Sequence, residues 1–545
     1  MRSITIQRQH VLLFVVSFVI VLFAINQTSQ AQVSGTWELK GTHPQAAAQP
    51  ATIGSQPTVA QYLWSLKAWN ERLYAGYGDY GANGVSFLGS QCNNCVQFAI
   101  TPFDPKTGLF ASPPVFQFNA EAVPLYRDIA GRLFAPNMDP AYETISYKNF
   151  AVGTKSGVWT EHVEQPITHI FDVATLNLTD VWMVGQDCAS PCNDAVAWLS
   201  TDGGNTFLEK KRVHAAPGAS ARFYFAGVLN NHLYVQVVDE SATTPRTAQN
   251  HSWVLDGSTQ SEGPDLFPRR DLDPTAHGYQ PMYFKGQMVY MTRFSYSPDN
   301  PTNRKQLVAF NGTSVSYVDI SPQVIRNFTV DGSYIYVLAS DGSVRRTSDL
   351  SLPWAQWESF SGFTVSDTLR PLLNAGNSIA LLNGRLYIGT SQAQLYRFST
   401  TLNVIDDQRF FVEQHYRDVL EREADQSGLD FWTNRITLCG SDATCIALKR
   451  VEVSKGFWYS DEFLQKHPGL VNPPGVSPKF NNHEFVRLCY LIYLQRDPNL
   501  TQVDQEGWAF WEHEADLDTA NNPDGYDHVI KAFVECPDYR MRFGG

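Results

Sequence analysis

Two hydrophobic rhythms divide the chain. Through residues 33–403, apolar and polar positions alternate in short runs punctuated by Gly, Asn, Asp and Pro, the period of half-buried strands. One phrase recurs there: a turn, usually with Gly or Asn, a polar side chain, then an aliphatic–aromatic pair. It reads Asn70-Glu71-Arg72-Leu73-Tyr74, Gly131-Arg132-Leu133-Phe134, Thr179-Asp180-Val181-Trp182 and Asn231-His232-Leu233-Tyr234. It returns as Gly286-Gln287-Met288-Val289-Tyr290, Gly332-Ser333-Tyr334-Ile335-Tyr336 and Asn383-Gly384-Arg385-Leu386-Tyr387. From Leu73 to Leu386 the successive steps are 60, 48, 52, 56, 46 and 51 residues, a mean of about 52, as expected of a propeller blade.

Polar turns mark the second half of these units, at Asp104–Gly108, Lys155-Ser156-Gly157, Asp256-Gly257 and Asn311-Gly312. Asp-Gly and Asn-Gly between aromatic and β-branched residues are strong hairpin signals, so each unit reads as four antiparallel strands. Seven such sheets hide their edges by radial closure. The expectation is an all-β seven-bladed propeller over 33–403, with six or eight blades as the neighbouring counts. The early strand Gly35-Thr36-Trp37-Glu38-Leu39 is expected to complete the last blade.

From about residue 405 the period becomes helical. Phe411, Val412, His415, Tyr416, Val419 and Leu420 fall on one helix face. A second repeat lies here. Phe411-Val412, Tyr416, Leu420, Arg422, Gly428 and Phe431-Trp432 are echoed by Phe485-Val486, Tyr490, Leu494, Arg496, Gly507 and Phe510-Trp511. The reading is an all-α pair, repeat 1 over 405–467 and repeat 2 over 482–545, joined by a Pro-rich linker over 468–481. The spacing of repeat 1, with Asp425 in place, resembles the bacterial domain of unknown function 4214 over roughly 410 to 466. That family is similar to phycobilisome linker repeats and is commonly appended to exported and surface-associated proteins. The resemblance implies an accessory or attachment role, with no catalysis established for the family.

Ser200-Thr201-Asp202-Gly203-Gly204-Asn205-Thr206-Phe207 fits the pattern Ser-x-Asp-x-Gly-x-Thr-Phe. It resembles the Asp-box hairpin of sialidase-like propellers, in which Ser200, Asp202, Gly204, Thr206 and Phe207 are structural. Thr347-x-Asp349-x-Ser351-x-Pro353-Trp354 is a degraded copy.

The N-terminus and the cysteines bear on compartment. Arg2 and Arg8 precede an apolar run from Val11 to Ile25, and Ser29-Gln30-Ala31 offers a cleavage site. Residues 1–31 therefore read as a signal peptide, with no membrane span after its removal and a secreted or cell-surface protein as the product. Eight cysteines suit disulfides in an oxidising compartment. Cys439–Cys445 and Cys489–Cys536 are the expected pairs in the tail. Cys92, Cys95, Cys188 and Cys192 pair locally or crosswise, with a four-thiolate zinc site as the rival.

Composition narrows the partners. The net charge of −13 makes a nucleic-acid backbone a poor partner. Residues 405–545 hold 24 Asp plus Glu against 14 Lys plus Arg, so the acidity is concentrated in the tail. No nucleophile elbow, metalloprotease helix, phosphate loop or EF-hand loop occurs, and neither metal nor cofactor is implied.

The expected ligand face lies where the innermost strands begin. Its candidates are Arg127, His169, Asp172, Arg222, His277, Arg326 and Arg370, joined by the loop acids Asp79, Asp139 and Asp187. Arginines at comparable blade positions would suit a carboxylate. Tyr77, Asp79 and Tyr80 would stack on and hydrogen-bond a sugar. The functional expectation is a non-enzymatic recognition or surface-association protein that takes an extracellular glycan or surface protein. The alternative is a secreted glycoside hydrolase or lyase of sialidase-like build, with an acid pair such as Asp79 and Asp139.

Overall fold

The computed structural model describes residues 32–47, 52–53, 56–57, 63–77, 98–118, 123–136, 150–162, 167–187, 193–215, 219–241, 247–267, 277–293, 306–332, 334–361, 363, 378–390, 393–400, 403–440 and 442–543. Seven antiparallel sheets form a propeller, five of four strands and two with a fifth, in blade 4 because the inner strand is split into Ala219–Phe223 and Gly227–Leu229; a helical tail follows. The innermost strands are Leu63–Trp69, Arg127–Ile129, Ile167–Ala174, Ala219–Phe223, His277–Phe284, Ile325–Asp331 and Ser378–Leu382. The second strands are Arg72–Tyr77, Arg132–Pro136, Val181–Asp187, His232–Ser241, Gln287–Arg293, Tyr334–Ala339 and Arg385–Gly389. All seven repeats of the phrase lie at the start of these second strands.

In five of the seven blades the turn before the phrase explains its Asn and Gly residues. Asn70 and Glu71, Ala130 and Gly131, Asn230 and Asn231, Lys285 and Gly286, and Asn383 and Gly384 each pair two residues with φ between 46° and 73°, apart from Gly286 at 81°. Two successive positive φ values make the primed hairpin turn whose twist matches that of the strands. Asn and Gly tolerate that conformation best.

The ring closes through the N-terminus. Thr36–Thr42 pairs antiparallel with Gln394–Ser399 as the outer strand of blade 7, so the first and last strands of the propeller share one sheet. Just before it, Gln32–Val33 adds a parallel fifth strand to blade 6. Trp37 secures the junction. Its indole N–H donates to the Ser361 carbonyl at 2.9 Å, and its ring packs against Phe363 and Phe398. Between blades lie apolar layers, as where Phe134 and Phe150 of blade 2 meet Val181 and Trp198 of blade 3.

In the Ser200-to-Phe207 hairpin, Asp202 accepts from the amides of Asn205 and Thr206 and from the hydroxyls of Ser200 and Thr206, at 2.6 to 3.0 Å. Those four donors hold its carboxyl well below the ordinary range. Phe207 packs edge-on against Phe150 of the neighbouring blade.

The tail contains α1 (Gln408–Val419), α2 (Gln426–Thr437), α3 (Ala443–Trp458), α4 (Asp461–Lys466), α5 (Asn482–Cys489), α6 (Gln502–Thr519), α7 (Asp527–Glu535) and α8 (Pro537–Met541). Caps define the ends: Asp407, Asp425, Asp442, Ser460, Asn481 and Thr501 each accept from amides of the first turn. The repeat signature has a mechanical explanation. Glu421 and Gln495 both adopt φ of 52° where α1 and the α5 segment end, and the amides of Arg422 and Arg496 return to the carbonyls of Tyr416 and Tyr490. A Cβ at Gly428 or Gly507 would collide with the Tyr416 or Tyr490 hydroxyl, so glycine lets each tyrosine lie against the next helix. Arg422 then pairs with Glu462 at the start of α4, and Arg496 with Asp538 at the start of α8, at 2.8 and 2.9 Å.

Two expectations for the tail are corrected. The repeats are not separate bundles across a linker: one core runs from Ile405 to Phe543. Trp458 of α3 packs on Phe485 and donates to the Tyr493 hydroxyl at 2.9 Å, while Leu470 and Phe480 of the 468–481 segment are fully buried. Cys439 and Cys445 form a disulfide, but Cys489 and Cys536 are free thiols. Cys489 is enclosed in the core, and the Cys536 sulfur caps α8 by accepting from the Tyr539 amide at 3.3 Å. Residues 1–31 and Cys92, Cys95, Cys188 and Cys192 lie outside the described residues. Among the described residues no helix is long and apolar enough to cross a membrane.

The tail core contains a titratable ring. His415 is fully buried; its Nδ1–H donates to the Phe411 carbonyl at 2.9 Å, and Nε2 accepts from the Ser454 hydroxyl at 2.7 Å. Burial, together with Arg450 and Arg542, pushes its pKa down to about 4. The unfolded chain takes up this proton near pH 6.5 and the folded one does not, so stability falls as pH drops from about 6.5 towards 4, by roughly 3 kcal/mol at most. Chemical denaturation of the full chain at pH 7 and pH 4.5, compared with His415→Gln, checks this. The variant is expected to lose less stability on acidification than the parent, and an identical loss contradicts the assignment.

Candidate functional site

The channel is where sequence places the ligand face. Several innermost strands carry a register shift there: between Leu63 and Ser65, Ile170 and Asp172, Tyr279 and Met282, and Ile325 and Asn327. Such bulges re-aim side chains and free backbone groups from the ladder. Asp172 and Asn327 each close back on the next amide, at 2.9 and 2.8 Å. The Pro281 carbonyl lies within the irregular stretch of blade 5.

These groups meet one another across the ring. Arg127 of blade 2 forms a bidentate pair with Asp172 of blade 3, at 2.8 and 2.9 Å, and its third nitrogen donates to the Pro281 carbonyl of blade 5 at 3.0 Å. Asp172 is fully buried and also accepts from the Ala226 amide, in the break between the two segments of the blade 4 inner strand. The Tyr279 hydroxyl of blade 5 donates back to the Pro124 carbonyl beside blade 2, at 2.9 Å. Burial opposes the Arg127 charge, yet Asp172 more than offsets it and the Arg127 pKa is raised. Arg127 and Asp172, expected from sequence as ligand contacts, join four blades and are occupied with each other.

The other candidates scatter. Arg222 donates to the Gln186 side-chain oxygen at 2.9 Å and to the Tyr224 hydroxyl at 3.2 Å, over the Phe171 ring. His169 stacks on that same Phe171, so these two remain together. Arg326 donates to the Ser340 carbonyl, Asp187 pairs with Arg212 at 2.6 Å, and Tyr77 is buried against the His43 ring. The backbone of His277 opens the inner strand of blade 5. Asp79, Tyr80, Asp139 and Arg370 lie outside the described residues.

A second site was not anticipated. The tail docks on the face that carries the tight first-to-second-strand turns. Arg417 of α1 pairs with Asp331 at 2.5 Å, Arg542 approaches Glu71 at 3.9 Å, and Phe410 fills the space that a Cβ at Gly384 would need. Between blades 6 and 7 and the tail remains a cleft of about 1210 Å³. Arg346, Arg385 and Arg397 line its propeller wall with Tyr334 and Phe360, while Arg409 and Arg540 line the tail wall.

Most of these cations are already matched. Arg346 lies 4.5 Å over Tyr334 and pairs with Glu358 at 2.6 Å; Arg397 pairs with Glu38 at 2.9 Å, and Arg540 with Asp406 at 2.8 Å. Arg385 differs. Among the described residues it has no carboxylate within ion-pairing distance, and its Nη2 donates to the Met541 carbonyl at 3.3 Å. Burial and the neighbouring Arg397 push its pKa below the ordinary value. An anion entering here would relieve both effects. The sequence signal was Arg385 itself, the long polar side chain of the last phrase, but the Met541 carbonyl it meets is 156 residues away.

Comparison with known proteins covers the two halves separately. Residues 396–467 match the model of a domain of unknown function (DUF4214), so the match starts in the third strand of blade 7 and runs through α4. No curated protein matches the chain. Among solved structures, the N-terminal domain of Nup159 is 8% identical, covering 68% of this chain and 99% of that one with a TM-score of 0.35. YCF48 from Cyanidioschyzon merolae is 9% identical, covering 66% and 98% with a TM-score of 0.35. The polysaccharide lyase Uly1 is 11% identical, covering 68% and 97% with a TM-score of 0.37. Likeness at this level says nothing about ligand or chemistry.

The seam depends on Arg417, which is mostly buried between Asp331 and Glu423. Arg417→Met removes a charge-assisted contact worth about 1.5–3 kcal/mol and leaves Asp331 without its partner. Hydrogen exchange is expected to show faster amide exchange in α1 and at the Asp331 turn, with the strands of blade 3 unchanged. Unchanged protection in α1 contradicts a docked tail.

Proposed function

We propose that the protein is an exported bacterial recognition or surface-association protein, with the propeller as the ligand platform and the helical tail as the attachment or assembly module. The observation that supports this most is the cleft at the propeller–tail seam, where a half-buried Arg385 without a carboxylate stands among aromatic rings. A guanidinium in that setting binds a planar carboxylate by paired hydrogen bonds, and the flanking rings accept an apolar or sugar face. The ligand this suits is an extracellular glycan or surface protein bearing a carboxylate. The engaged state of Arg127 and Asp172 weighs against the channel as the place where an acidic sugar is cleaved.

A glycan-array screen with acidic and neutral arms, followed by titration of Arg385→Met, tests the reading. Binding to carboxylate-bearing ligands is expected, weakened at least about tenfold by the loss of one charge-assisted pair. Binding that survives Arg385→Met and is lost in Arg222→Ala would move the ligand to the channel. Turnover of fluorogenic glycosides that disappears in Asp79→Ala or Asp139→Ala would replace recognition with hydrolysis.

A further inference from the structure

The two repeats leave equivalent apolar rows uncovered. α2 packs on α1 and α3, and α6 packs on α5 and α7, so each second helix flanks the shared core with one face outward. On α6, Val503, Phe510 and Leu517 are exposed at seven-residue spacing, which keeps them within about 40° of one line along the helix. Phe431 of α2 and Leu438, which caps that helix, repeat that spacing, and Leu448 of α3 is exposed as well. Phe431 and Phe510 hold the same position in the two repeats, and each is 54% exposed. A large aromatic kept outside twice at one position of a fold is a contact residue in search of a surface.

The two faces differ in charge. α6 carries Asp504, Glu506, Glu512, Glu514, Asp516 and Asp518 and no Lys or Arg, with Glu506 and Glu514 bordering its apolar row. On the α2 side the Arg435 guanidinium lies 5.5 Å over the Phe431 ring, and Arg435 and Lys449 share the single carboxylate of Glu452. Apolar rows of matching spacing thus have borders of opposite sign.

We propose that the α2 face of one chain docks on the α6 face of a second copy, head to tail. The proposal rests on the reading of the tail as an attachment or assembly module and names its partner as the chain itself. Such a contact is heterologous: it leaves one free face at each end and propagates into short chains or closes as a ring. A helix of 18 residues is about 27 Å long, so the paired faces fall below the 1,200–2,000 Å² typical of stable complexes. Association in the range of roughly 1 to 100 μM, weakened by salt, is the consequence.

Sedimentation velocity of the full chain across that range tests the contact, using Phe431→Asp and Phe510→Asp. The parent is expected to grow beyond a dimer as concentration rises. Each variant alone is expected to stay monomeric, because one of its two faces is lost. Their equimolar mixture is expected to form a dimer and nothing larger, since each supplies the face the other lacks. That rescue also shows both variants to be folded. A monomeric parent, a variant that still associates alone, or a mixture that stays monomeric overturns the proposal. A monomeric parent that still binds envelope fragments of the producing cells overturns only the copy-to-copy contact; loss of both removes the attachment reading too.

Discussion

Seven sheets around a channel must dispose of the polar groups that their innermost strands turn inward, and the Arg127–Asp172 pair is where this protein does so. The pair sits at a bulge, is bidentate, and is extended by the Ala226 amide and the Pro281 carbonyl, so one guanidinium and one carboxylate bind four blades. A buried carboxylate without this partner would cost several kcal/mol, and a buried guanidinium likewise. The interaction is worth less as net stability than as a constraint on arrangement: blades 2, 3, 4 and 5 can satisfy these groups only in one order around the ring. Closure at the other side, by Thr36–Thr42 on blade 7, completes the circle.

Much of this architecture was legible in the chain. The phrase beginning at Arg72, Arg132 and Arg385 is a primed hairpin followed by a buried strand, and both halves of that description are local. Trp37 could be assigned to the last blade because a ring needs one strand from its beginning. Roles across the ring were not legible. Arg127 and Asp172 are 45 residues apart, and nothing in either neighbourhood tells a ligand-binding arginine from one that meets a carboxylate on the next blade. The seam cleft was hidden for the same reason, since Arg385 acquires its setting only when α1 and the last helix fold against blades 6 and 7. Cys489 and Cys536 looked like a staple for a small bundle; the larger shared core, centred on Trp458, makes a staple unnecessary.

The tail's signature residues proved to be joints. Tyr416 packs against Gly428, Arg422 pairs with Glu462, and the second copy repeats both relations with Tyr490, Gly507, Arg496 and Asp538. Sequence identity between the copies therefore reports how the helices within each repeat are locked together. It leaves Phe431 and Phe510, each more than half exposed, as echoed residues that take no part in these joints.

A double-mutant cycle on Arg127 and Asp172 tests most directly whether the channel is held by its own charges. Arg127→Met and Asp172→Leu are each expected to lower the unfolding free energy by about 3–5 kcal/mol, because each strands a buried charge. The double variant, with neither charge left, is expected to lose no more than one of the singles, giving a coupling of at least about 3 kcal/mol. Losses that add to within about 0.5 kcal/mol would show that the two side chains act independently, and the channel would again be open to a ligand.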